Sequence, residues 1–133
     1  MTSASALDAS ALLEQANAIL QAGGPNANRA ACWIGRAALE STVAALIEDR
    51  KVPAPDATMR SKLGVLQVAF AGEPDIASSA EYAWNALSRV CHHHAFELTP
   101  SAGEVEHLLD LVQGLHAATK ATAESENLPE FPR

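Results

Sequence analysis

Apolar residues recur every three to four positions along almost the whole chain. The pattern is interrupted at GGP (23–25), PAP (53–55), the Gly72/Pro74 pair and TP (99–100). That spacing is the period of a helix with one buried stripe, and Gly and Pro are the residues that end such helices. The first helix is expected to start near Asp8 or Ser10, with Leu12, Leu13, Ala16, Ile19 and Leu20 on its stripe, and to stop at Gly23-Gly24-Pro25. A second spans about Asn28 to Arg50. Its apolar positions, Ile34, Ala38, Val43, Ala45, Leu46 and Ile47, reach far round the helix, so it should be the central and most enclosed one. A third follows Asp56, a residue able to cap a helix N-terminus, with Met59, Leu63, Leu66 and Phe70 recurring up to Gly72.

The fourth helix starts after Pro74 and is expected to reach at least His94, on the stripe Ile76, Ala80, Ala83, Trp84, Leu87, Cys91 and His94. The fifth starts at Thr99-Pro100-Ser101, where Pro suits a first turn and Ser101 with Glu104 can form a capping box. Val105, Leu108, Leu109, Val112 and Leu115 form its stripe. From about Thr122 the sequence AESENLPEFPR loses this period, so residues 123–133 are expected to be a mobile tail on a single domain, 1–122. No segment alternates as a strand would. The predicted fold is all-α: a compact bundle of about five helices with short antiparallel connections.

Composition and charge adjust this picture. Alanine makes up roughly a fifth of the chain and aromatics only 5%, which favours closely packed helices with small contact residues. A net charge of −7 argues against a broad basic surface that would track a nucleic-acid backbone, while leaving room for a small basic pocket. No apolar run approaching the ~20 residues of a membrane span is evident, and MTSASALDAS lacks the basic and apolar regions of a signal peptide. No membrane association is therefore expected, and the expected location is the cytoplasm. Cys32 and Cys91, the two cysteines, are expected to be buried free thiols rather than a disulfide.

One stretch concentrates the side chains able to do chemistry: Tyr82-Ala83-Trp84-Asn85-Ala86-Leu87-Ser88-Arg89-Val90-Cys91-His92-His93-His94-Ala95-Phe96-Glu97. Three of the five histidines lie here, beside the one arginine between positions 61 and 132. Residues on a helix advance by about 100° each, so three consecutive rings cannot converge on one point. On a continuous helix His94 would fall about 20° from Leu87 and face the core, while His92, His93 and Arg89 would project away. Asn85, Arg89 and His93, four apart in series with Phe96 near the same line, would form a second, polar-aromatic face. Such a face is expected to be covered by another helix or by a partner subunit.

Arg89 and His94 fit the spacing R-x4-H. That motif, late on a long helix of a small bundle, resembles the HEPN (higher eukaryotes and prokaryotes nucleotide-binding) superfamily. The wider segment AWNALSRVCHHHAFELTP, with Arg36 and Glu40 in GRAALE, is similar to small alanine-rich, HEPN-like proteins of actinobacteria over roughly residues 28–112. The resemblance implies a metal-independent RNA endonuclease, in a toxin or defence setting, working at the cleft of a homodimer with no cofactor. His94 would be the acid/base and Arg89 the phosphate clamp, with His93 a second candidate. This chemistry is physically coherent. Attack by a ribose 2′-hydroxyl needs a base of near-neutral pKa and an acid for the leaving group, and the crowded phosphate needs a planar cationic fork. The family usually has Asn, Asp or His directly after the arginine; here Val90 stands there.

Other readings of the same residues belong beside this one. His94 can be a buried histidine bonded to a backbone carbonyl, and Arg89 a surface partner of Asn85 or of His93 and Glu97. Arg29 and Arg36, seven apart on one face, can extend a basic pocket beside Arg89 or pair with acidic neighbours. Trp84 and Leu87 are expected in the core. Cys32, Cys91, His92, His93, His107 and His116 are metal-ligand types, but no C-x2-C, H-x3-H or H-E-x-x-H spacing joins them, so no metal site is expected. Glycine-rich phosphate loops and a nucleophile elbow are absent from the sequence. The rival function is a noncatalytic binding or scaffold module acting through protein–protein contacts, with an antitoxin among the partner types.

Overall fold

The computed structural model describes the backbone of residues 4–52, 58–92 and 100–127, and the side chains of residues 9–52, 58–92 and 100–119. These residues form five α-helices and no strand: α1 (Ala4–Ala22), α2 (Ala27–Asp49), α3 (Met59–Ala69), α4 (Pro74–Cys91) and α5 (Ala102–Asn127). The all-α bundle read from the apolar period is the fold.

The ends of the helices have local causes. Gly23 and Gly24, at φ 71° and 114°, take a backbone region that side chains disfavour, and this breaks α1 from α2. The cap of α3 is Thr58, whose hydroxyl accepts from the Ser61 N–H at 3.2 Å. It takes the role expected of Asp56, which lies outside the described residues. Ser101 Oγ accepts from the Glu104 N–H at 3.1 Å, which supplies the serine half of the expected capping box. α5 runs to Asn127, five residues past the point where its apolar period fades. α4 stops at Cys91 with His92 as its C-cap, short of the expected extension to His94.

α2 packs against all four other helices, which accounts for its wide apolar face. Its length and composition would also suffice to cross a membrane, contrary to the expectation that no segment does, but more than half of that stretch is buried inside the bundle. Leu13, Leu39, Leu46, Ile47, Leu66, Phe70, Leu87 and Leu109 are all under 2% exposed and make up the bulk of the core. At Gly35 three helices meet: a Cβ there would lie 2.7 Å from Leu109 Cδ2 on α5 and 3.8 Å from Leu87 Cδ2 on α4. The missing side chain is what lets α2 sit so close to both. At the other end, Arg50 lies 4.0 Å over the Phe70 ring and pairs with Glu73, which fastens the end of α2 to the α3–α4 turn.

Candidate functional site

α2 and α4 run antiparallel, so the first half of α2 faces the last half of α4. The facing residues are Cys32 and Arg36 on α2, one turn apart, and Trp84, Ser88 and Cys91 on α4, spaced by four and three. Arg36 joins the two helices. Its guanidinium carbon lies 4.2 Å from the centre of the Trp84 ring, and its Nε–H donates to Ser88 Oγ at 3.1 Å. The stacked cation shields one side of an indole that the core alone does not fully cover. Trp84 is therefore half-buried, not a fully enclosed core residue.

The two thiols are free and lie one turn along from Arg36 and Ser88 on their helices, Cys32 buried and Cys91 half-buried. Burial, together with the neighbouring Cys91, pushes the Cys32 thiol up to about 11. Burial also raises Cys91, against a smaller opposing pull from Arg36. Neither has the depressed pKa of a nucleophilic cysteine, so both act as small apolar groups at neutral pH. No group of three or more His, Cys, Asp or Glu side chains suited to a metal occurs among the described residues.

Arg89 follows Ser88 and is exposed in the last turn of α4, where a cation complements the helix dipole. It forms no ion pair among the described residues. Tyr82, Asn85 and Arg89, at spacings of three and four, are all exposed, Tyr82 at 56%. Asn85 and Arg89 of the anticipated polar-aromatic face are exposed with Tyr82 beside them, its His93 and Phe96 lie outside the described residues, and no described helix covers the exposed ones. His92 is exposed at the C-cap, its backbone N–H donating to the Ser88 carbonyl at 2.9 Å. His93 and His94 lie outside the described residues, and because α4 closes at Cys91, helical phase assigns no direction to His94. The chain flanking residues 93–99 is placed: Cys91 is electrostatically coupled to Cys32 on α2, and the Pro100 carbonyl accepts from Asn28 Nδ2 at 2.8 Å. Both flanks are at the N-terminal end of α2, the end that carries Arg29 and Arg36.

Arg36 and Arg89 thus occupy the same end of the bundle, separated by Ser88. Ser88 is the member that sequence reasoning passed over. Its signal is faint: a small hydroxyl one turn after Trp84, meaningful only when Arg36, 52 residues earlier, is known to face it. No protein-family model, curated protein or solved structure matches the chain.

Proposed function

We propose that the chain is a HEPN-like, metal-independent RNA endonuclease in which Arg89 holds the scissile phosphate and His94 moves the proton, with His93 as the second candidate. The observation that carries this reading is electrostatic. In a chain with 16 acidic residues, the stretches 15–39 and 82–96 contain none, and they supply Arg29, Arg36, Arg89 and all three consecutive histidines. Arg89 stands exposed there with no carboxylate partner among the described residues, which leaves its guanidinium open to an anionic ligand. Arg36, its fork oriented by Trp84 and Ser88, adds a second positive charge at the same end. A compact basic spot on an acidic protein suits one exposed RNA loop better than a long backbone track. Two copies meeting at this face would bring both sets of groups to one cleft, the symmetric arrangement the resemblance implies.

The test is cleavage of total cellular RNA in EDTA by the purified protein, beside an Arg89→Ala/His94→Ala double variant of confirmed fold. Cleavage that disappears in the variant supports the assignment. Equal cleavage by both preparations, or none by either at micromolar protein, removes it.

A second reading has its own observation. Tyr82 is 56% exposed beside Asn85 and Arg89, an aromatic anchor flanked by polar groups of the kind enriched at protein interfaces. A noncatalytic module docking a protein partner through this face predicts that Tyr82→Ala abolishes association while His94→Ala leaves it intact.

A further inference from the structure

The cleft between α3 and α4 is not used by the proposed phosphate site, and its walls have a distinct chemistry. It encloses about 300 Å³ and is lined by Arg60, Gly64 and Gln67 of α3, with Leu63 beside them, and by Glu81, Trp84 and Asn85 of α4. The α3 residues fall at i, i+4 and i+7, and the α4 residues at i, i+3 and i+4, so each helix presents one continuous stripe to the cleft. Gly64 borders open space: nothing lies within 4 Å of where its Cβ would be, so a larger side chain there would project into the cleft. Across the cleft Gln67 Nε2 donates to Glu81 Oε2 at 3.5 Å, the outer limit of a hydrogen bond, so a better donor can displace it. Trp84 is held in place by Arg36 stacked on it.

We infer that this cleft is a guanine-nucleotide subsite, with Trp84 as the aromatic wall, Glu81 as the reader of the base and Arg60 as the phosphate contact. An indole at a cleft wall is suited to stacking an unpaired base. A carboxylate offers two acceptor oxygens and no donor. Guanine is the base whose Watson–Crick edge presents two adjacent N–H donors to such a pair, while adenine, cytosine and uracil each place an acceptor in that pattern. Gln67 and Asn85 supply amide donors and acceptors for the rest of the base edge, and the Arg60 guanidinium suits a phosphate. The inference deepens the ribonuclease reading and rests on it for its biological role. Asn85 lies just over one helical turn, about 6 Å of rise, before Arg89. A guanine in the cleft would therefore set which phosphodiester reaches the arginine.

Mononucleotide binding tests the site without requiring turnover. The full chain carrying Trp33→Phe retains Trp84 as its one tryptophan, and its fluorescence is followed while GMP, AMP, CMP and UMP are each added. GMP should quench Trp84 and bind at least tenfold more tightly than the other three. Glu81→Gln should remove that preference, and Arg60→Ala should weaken GMP while leaving guanosine unchanged. Gly64→Leu, which favours the helix but fills the cleft, should abolish binding in a protein at least as stable. No quenching by any mononucleotide at millimolar concentration overturns the inference, as does equal quenching by all four. GMP binding with this pattern in a protein that cuts no RNA would uphold the subsite and remove the endonuclease. RNA cleavage without GMP binding would do the reverse.

Discussion

Arg36 lies 4.2 Å above the centre of the Trp84 ring while its Nε–H donates to Ser88 Oγ at 3.1 Å, so one guanidinium engages two successive turns of α4. This contact couples the central helix to the helix bearing the candidate phosphate clamp. A stacked cation contributes about 0.5–1 kcal/mol at exposed sites and more when partly desolvated. A hydrogen bond from a charged donor adds about 1.5 kcal/mol before discounting for solvent. Arg36→Ala should therefore destabilise the fold by about 1–2 kcal/mol in urea unfolding. Arg36→Lys should recover less than half of that, because an ammonium has neither the planar stack nor the Nε donor. A Trp84→Leu/Arg36→Ala cycle should return a coupling near 1 kcal/mol, and a value of zero would remove the stack from the stability of the fold.

A close approach of the same helix makes a second, geometric prediction. A Cβ at Gly35 would lie 2.7 Å from Leu109 Cδ2, inside a core where Leu109 is 1% exposed. Gly35→Val should cost about 2–3 kcal/mol, since overpacking outweighs the gain in helix propensity. Leu109→Ala alone leaves a cavity and should cost about 3 kcal/mol. The double variant should be clearly less destabilised than the sum, because each change relieves the other. Strict additivity in chemical denaturation would show that Leu109 does not set the spacing of α2 and α5.

These relationships show what the sequence could and could not disclose. The apolar stripes mark the inward faces because period 3.6 is a property of each helix alone: Val105, Leu108, Leu109, Val112 and Leu115 are all buried as expected, while Leu12, Ile34, Met59 and Ile76 at the edges of other stripes are half-buried. The ends were less legible. Thr58 rather than Asp56 caps α3, and α4 closes before the histidine triplet, because a cap depends on backbone geometry that several neighbouring residues can satisfy. Trp84 looked like core by its position on the stripe. Its partial exposure follows from a cation contributed by another helix, which helical periodicity does not encode. Arg89 was recognisable as an outward-facing cation from phase alone, and its exposure agrees with that.

The buried thiol predicts a pH dependence at the alkaline end. Cys32 is fully buried, and its pKa rises from 9.0 to about 11 on folding. The folded state therefore binds the proton more tightly than the unfolded chain. The resulting stability is complete below pH 9 and is lost as pH rises towards 11, when the unfolded chain ionises and the native thiol does not. At 1.36 kcal/mol per pKa unit the loss is about 2–3 kcal/mol. Unfolding free energies measured from pH 8 to 11 should fall by at least that amount in the natural protein, since burial raises the Cys91 thiol as well. The decline should be correspondingly shallower in Cys32→Ala, despite its lower starting stability. Parallel curves for the two proteins would rule out Cys32 as the titrating group.

Arg89 separates function from stability most sharply. It is exposed and holds no ion pair among the described residues, so Arg89→Ala should change unfolding free energy by no more than about 0.5 kcal/mol. If it clamps the scissile phosphate, the same substitution removes a charged donor from the transition state and should lower RNA cleavage by about 10²–10³-fold. Arg89→Lys keeps the charge but loses the two-pronged geometry, and should restore only part of the rate. Arg36→Ala disturbs the neighbouring turn of α4, so it should reduce cleavage as well, but together with stability. The contrast is the diagnostic: activity lost at constant stability for Arg89, and both lost together for Arg36. An Arg89→Ala protein that cuts RNA at the natural rate would leave the exposed cation with no part in catalysis, and the Tyr82–Asn85–Arg89 face would then be read as a protein-docking surface.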